Sequence, residues 1–140
     1  MYKNIENYYD SFKETRIKER AFSYDLWLQL IDEWKNNPAL TVSEIGNTYE
    51  GKPIHQVKFG TGPIHICAWS QMHGDEATAT MALADIFLFL SKEGDKFNEL
   101  REILHQKITL FVIPRLNADG AERWTRETAL GIDMNRDASK

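Results

Sequence analysis

His73 and Glu76 stand three residues apart in the stretch Gln71-Met72-His73-Gly74-Asp75-Glu76, an imidazole and a carboxylate that can reach one ion. The stretch falls where an apolar, strand-like run stops and an Ala-rich helical pattern starts, so one turn aims both side chains. Nitrogen and oxygen donors placed this way suit zinc. A second polar stretch begins at Pro114. It carries Arg115, Arg123, Arg126 and Arg136 beside Asn117, Asp119, Asp133 and Asn135, with little aliphatic bulk. Arginine grips a carboxylate through two parallel N–H bonds, which makes this stretch a candidate for holding an anionic substrate group. Connections longer than roughly 12 to 15 residues without periodic pattern are commonly functional or disordered.

The elements that must position these residues can be read from hydrophobic period. Ile5, Tyr8, Tyr9 and Phe12 have helical spacing and predict an amphipathic surface helix over residues 4–19. Ser23 is an N-cap for a second helix with Leu26, Trp27, Leu30, Ile31 and Trp34 on its apolar face, ended by Asn36-Asn37-Pro38. Aromatic residues at that spacing are core, so Trp27 and Trp34 receive no ligand role. From Leu40 the period shortens: Leu40 to Thr48 and Pro53 to Phe59 alternate around Glu50-Gly51 and predict a β-hairpin. Ile64 to Trp69 is nearly continuous in apolar character, as in a strand covered on both faces. Ala77 to Leu90 predicts a helix wedged between sheet and outer layer. Phe97, Leu100, Ile103 and Leu104 mark a shorter helix, and Ile108 to Ile113 a second fully buried strand. Strand, helix, strand implies a crossover and two parallel strands. Ligands in open α/β sheets bind beyond the carboxyl ends of such strands, where both polar stretches begin.

Composition narrows the partner. A chain of 140 residues with 42% hydrophobic content can bury the core of one domain. It reads as a single unit over 1–140 with a helical N-terminal segment, 1–38, packed on it. The net charge of -4, with no Lys/Arg block, argues against nucleic acid and against an anionic membrane surface. No stretch is apolar enough to span a bilayer, and no leader pattern opens the chain, which points to the cytoplasm. The lone cysteine, Cys67, reads as a buried small hydrophobe, and His55 and His65 as structural. The oligomeric state is open.

Taken together, His73-Gly74-Asp75-Glu76, Asn117-Ala118-Asp119-Gly120, Arg126 and Gly131-Ile132-Asp133-Met134-Asn135-Arg136-Asp137 resemble the zinc metallocarboxypeptidases, of which carboxypeptidase A is the best-known member. The resemblance runs in order from about Thr48 to Asp137 and departs at Ala118, where the family more often has proline. It implies the N-terminal half of a carboxypeptidase-like α/β/α fold, with a mixed, partly parallel sheet flanked by helices and two further helices at the N-terminus. It also implies Zn2+ as cofactor, with His73 and Glu76 as two of its protein ligands. Asp133 would hydrogen-bond the zinc-bound histidine and fix its tautomer. Arg126 would polarise the scissile carbonyl, a contribution of roughly 3 to 4 kcal/mol. Asn135 and Arg136 would bind the substrate's terminal carboxylate. The implied partner is a peptide or small molecule with a free carboxylate.

The family's further histidine ligand and its water-activating glutamate have no match here. The chain therefore reads as a fragment that binds zinc weakly and does not hydrolyse peptides, while the complete protein removes C-terminal residues. Two other readings stay open. One is an aspartoacylase or succinylglutamate desuccinylase type of amidohydrolase acting on N-acyl amino acids, and the other is a non-catalytic module that captures peptide C-termini.

Overall fold

The computed structural model describes residues 5–136. Asn4, where the first helical pattern starts, and Asp137, the last residue of the final motif, lie outside them.

Ser23 starts the first α-helix, α1 (Tyr24–Asn36), with extended backbone and a hydroxyl that accepts from the Leu26 N–H at 3.2 Å. Asn37 is extended again because the Pro38 ring disfavours helical backbone before it. β1 (Leu40–Asn47) and β2 (Pro53–Phe59) form the expected antiparallel hairpin, with a bulge between Glu44 and Gly46. β3 (Ile64–Trp69), α2 (Thr78–Ser91), α3 (Asn98–Lys107) and β4 (Ile108–Ile113) follow, and a short helix, α4 (Ala118–Arg123), comes last.

The four strands make one mixed sheet in the order β1-β2-β4-β3. β4 runs antiparallel to β2 and parallel to β3, with Ile64 opposite Ile108 and Trp69 opposite Ile113. The α/β fold with a partly parallel sheet is as the sequence implies. Side chains alternate across it. Val57, Phe59 and Val112 are buried on one face beneath α1 and α2, together with Trp27, Leu30, Trp34, Ala84 and Phe87. Trp34 stacks edge-on against both Trp27, at 5.7 Å, and Phe87, at 4.8 Å, and so stitches the two helices together. Among the described residues no helix is long and apolar enough to cross a membrane.

Three expectations are corrected. The N-terminal helix over 4–19 is a 3-10 helix of seven residues, Ile5–Ser11, followed by irregular chain. The reason is Asp85, in the middle of α2: its carboxylate accepts from the Tyr9 hydroxyl at 2.6 Å and from the Glu14 N–H at 2.7 Å. A continuing α-helix would commit that N–H to Asp10 instead. Phe12 then packs edge-on against Phe89 and Phe97. Second, β3 is not covered on both faces. It is an edge strand, with Ile64 at 58%, Ile66 at 41% and Trp69 at 58% exposure. Cys67 is likewise exposed. Third, β4 is only partly buried, with Thr109 and Val112 its two buried residues.

Candidate functional site

Because β3 and β4 are parallel neighbours, their carboxyl ends reach the same edge of the sheet, and the chain beyond each is tied to the other. The Ser70 N–H donates to the Ile113 carbonyl at 2.9 Å, Leu116 to Ser70 at 3.0 Å, and Asn117 to Gln71 at 3.0 Å. Beneath them sits a buried polar knot. Thr80 Oγ1, from the first turn of α2, lies 2.7 Å from the Pro114 carbonyl and 3.0 Å from both Ser70 Oγ and Gln71 Oε1. Gln71 also donates its side-chain N–H to the Gly74 carbonyl at 2.7 Å. Its backbone is left-handed, with φ of 51°, a conformation that costs a non-glycine residue about 1 kcal/mol or more and persists because these bonds hold it. Gly74 and Gly120 meet backbone to backbone, and a Cβ on either would collide.

On this base the predicted residues converge. His73 is buried at 6% exposure, with Nε2 3.1 Å from Asp133 Oδ1 and Nδ1 3.0 Å from Glu76 Oε2. Arg126 closes the ring: Nε donates to Asp133 Oδ2 at 2.8 Å and Nη1 to Glu76 Oε1 at 3.3 Å. The Glu76 carboxylate raises the His73 pKa, burial opposes it and Asp133 reinforces the rise. Burial works against the Asp133 carboxylate, yet donors from Arg126, the Asn135 N–H and His73 outweigh it and bring its pKa down to about 2. Asp133 is thus an anion that accepts from both of its neighbours.

That anion assigns the histidine tautomer. With Nε2–H directed at Asp133, the Nδ1 lone pair faces Glu76. Although 3.0 Å from the carboxylate oxygen, Nδ1 is buried and makes no aligned hydrogen bond. Two lone-pair-bearing atoms at that separation repel unless a proton or a metal cation joins them, and the raised His73 pKa reflects the first of these. His73 and Glu76 therefore fit a metal ion in donor type and in orientation. Among the described residues no group of three or more His, Cys, Asp or Glu side chains is placed to hold one.

Asn135 and Arg136 reach the cluster through their backbone: the Asn135 N–H donates to Asp133 Oδ1 at 2.9 Å and the Arg136 N–H to the Asp133 carbonyl at 3.0 Å. Both residues are exposed, and their side chains have no hydrogen bond or ion pair among the described residues. The other two arginines of the polar stretch are elsewhere. Arg115 is buried at 2% exposure among Phe22, Tyr24 and Trp27, where burial lowers its pKa to about 10, and Arg123 pairs with Glu50.

Asn117-Ala118-Asp119-Gly120, quoted above for the resemblance alone, is the cap and first turn of α4. Asn117 Oδ1 accepts from the Gly120 N–H at 2.9 Å, while Nδ2 donates to the carbonyls of Arg126 at 3.3 Å and Glu127 at 3.1 Å. Asp119, buried, accepts from Thr48 Oγ1 at 2.8 Å and Lys52 Nζ at 3.1 Å, anchoring the β1–β2 turn. An Asn ahead of a helical stretch is a capping signal that could have marked α4. Gln71 and Thr80 carry no such signal, since nothing in their type announces a left-handed turn or a buried hydroxyl.

A family model for zinc carboxypeptidases matches residues 27–139. Among solved structures, a metallo-carboxypeptidase from Burkholderia cenocepacia is similar at 22% identity and a TM-score of 0.74, over 82% of this chain and 32% of that one. A metallo-carboxypeptidase from Pseudomonas aeruginosa, solved in complex with (2-guanidinoethylmercapto)succinic acid, is similar at 19% identity and a TM-score of 0.67, over 85% and 32%. Bovine thrombin-activatable fibrinolysis inhibitor, solved with tick carboxypeptidase inhibitor, shares the fold at 14% identity and a TM-score of 0.59, over 76% and 36%. The chain spans about a third of the length of these structures.

Proposed function

The chain belongs to the zinc carboxypeptidase family, and on that premise we propose that the complete protein hydrolyses the C-terminal peptide bond of substrates that end in a free carboxylate. The observation that carries this reading is the ring His73–Asp133–Arg126–Glu76, closed by contacts of 3.1, 2.8, 3.3 and 3.0 Å at the carboxyl ends of β3 and β4.

In this reading His73 Nδ1 and Glu76 are zinc ligands. When bound, zinc supplies Lewis acidity that polarises an oxygen and lowers the pKa of a water to about 7. Asp133 holds the Nε2 proton of His73, so that Nδ1 is offered to the metal in a fixed direction. Arg126 spends Nε and Nη1 on Asp133 and Glu76, and its Nη2 has no hydrogen bond among the described residues. Those free donors suit the oxygen of a scissile carbonyl, where charge develops. Asn135 and Arg136, exposed and with no side-chain partner among the described residues, take the substrate's terminal carboxylate, Arg136 with its two-pronged geometry. The succinic acid derivative on the Pseudomonas aeruginosa relative supports a ligand with carboxylates.

A catalytic zinc takes three protein ligands, and His73 with Glu76 makes two. The 140-residue chain by itself therefore binds zinc weakly and turns over no peptide, whereas the complete protein binds zinc tightly and hydrolyses peptides. In the complete protein, chelator-sensitive release of C-terminal residues from peptides is expected, with His73→Ala losing bound zinc by elemental analysis. Activity that survives chelation would overturn the reading. Cleavage confined to small N-acyl amino acids would replace it with an aspartoacylase-type amidohydrolase. Stoichiometric zinc that stays with the 140-residue chain through dialysis would overturn the two-ligand count.

A further inference from the structure

Asn117 joins three parts of the site and belongs to none of the roles assigned above. Its backbone N–H donates to the Gln71 carbonyl, two residues before His73, at 3.0 Å. Its Oδ1 caps α4 through the Gly120 N–H at 2.9 Å. Its amide nitrogen donates both hydrogens into the next loop, to the carbonyls of Arg126 at 3.3 Å and Glu127 at 3.1 Å. The residue is buried at 3% exposure, so water does not compete for these donors. Arg126 itself is over a third exposed and lies in irregular chain, where few other bonds fix its backbone. Thr125 adds one, from its N–H to the Gly120 carbonyl at 2.9 Å, and that carbonyl belongs to the turn Asn117 caps.

We propose that Asn117 is a positioning residue for Arg126: its side-chain amide clamps the Arg126–Glu127 backbone to the loop that carries His73, setting the distance between the guanidinium and the metal ligands. This rests on the reading of Arg126 as the group that stabilises the reacting carbonyl. Asn is suited where Asp is not. Both types present an oxygen to the Gly120 N–H, but only the amide has two hydrogens for two carbonyls. Asn117→Asp therefore keeps the helix cap and removes the clamp, turning two attractive contacts into repulsive ones. Misplacing a catalytic group by about 1 Å can cost on the order of 100-fold in rate.

The test is a double-mutant cycle in the zinc-loaded complete protein. Arg126→Ala is expected to lower kcat by about 100-fold or more, and Asn117→Asp by about 10- to 100-fold with little change in KM. The double variant should be no slower than Arg126→Ala alone, because the clamp acts only through Arg126. A residue that merely supports the fold would lower kcat additively, and that result, or wild-type kcat in Asn117→Asp, overturns the proposal. Asn117→Ser, which caps but cannot clamp, should behave as Asn117→Asp does. If Arg126→Ala keeps full activity, the role given to Arg126 falls, and the catalytic meaning of the clamp falls with it. The clamp itself is read separately in the 140-residue chain, where the Arg126 Nε–H bonded to Asp133 gives its own NMR signal. Asn117→Asp should broaden that signal or merge it with those of the solvated arginines, and an unchanged signal shows that no clamp operates.

Discussion

The two faces of the sheet are built from similar residue types and have opposite fates. On one, Val57, Phe59 and Val112 lie under α1 and α2, with Phe87 and Val57 wholly buried. On the other, Cys67 and Trp69 of β3 lie exposed beside the partly buried Phe111 and Ile113 of β4. The difference teaches that an apolar strand does not bury itself. Its burial is conferred by whatever element crosses it: at the centre of the sheet α1 and α2 cover Val57, Phe59 and Val112, whereas along β3 even Ile64 and Ile66, on that same face, remain exposed.

The comparison can be tested most sharply by truncation. Phe87→Ala removes a ring packed against Trp34 and is expected to cost about 3–5 kcal/mol in urea unfolding, because the helices around it relax only in part. A cost below about 1 kcal/mol would show that the covered face is loosely packed and the contrast overdrawn.

A smaller effect separates the faces by charge. His55, buried at 2% exposure on the covered face, lies 3.8 Å from Glu44, and its Nδ1 has no hydrogen-bond partner among the described residues. Burial lowers its pKa below the ordinary 6.5, Lys35 lowers it further and Glu44 opposes. As pH falls through 6.5 the unfolded chain takes up a proton that the folded one refuses. Stability should therefore decline with acid in that range and level off below the folded pKa, with no contribution above about pH 7.5. The difference in unfolding free energy between wild type and His55→Gln, followed from pH 8 to pH 5, should shift accordingly, since His73 titrates in both chains. A flat difference curve would mean that His55 is solvated after all.

Smallest of all should be Trp69→Ala on the open face. With 58% of the residue already in water, the change is expected to stay within about 1 kcal/mol, far below what an indole costs in a core. A loss comparable to that of Phe87→Ala would mean that something covers β3 in solution.

The same contrast explains what the sequence discloses. The hairpin from Leu40, the Ser23 cap and the parallel pairing of Ile64 to Trp69 with Ile108 to Ile113 depend on local pattern and connection rules, and each appears where those rules put it. His73, Glu76, Arg126 and Asp133 are named together by the family resemblance, and in the fold their side chains lie within 2.8 to 3.3 Å of one another around a ring. The exposure of β3 was not legible, since burial depends on neighbours in space. Nor was the end of the N-terminal helix at Ser11, because Tyr8, Tyr9 and Phe12 keep helical spacing while the decisive partner, Asp85, lies far along the chain. Asn117 stands in a sequence motif, but the role of its amide hydrogens depends on the Arg126 loop folding back over it, which no local pattern encodes.

The bareness of β3 has a practical side. Cys67 is the only thiol in the chain and it is exposed, two residues before Trp69 on a strand whose end leads into the His73 loop. A dye attached there would mark every molecule once, at a known position beside an indole that can quench it. With Trp124, the other exposed indole, replaced by Phe, fluorescence from that pair would follow the movement of the strand end as the site fills, while Trp27 and Trp34, on the buried face of α1, would contribute a constant blue background.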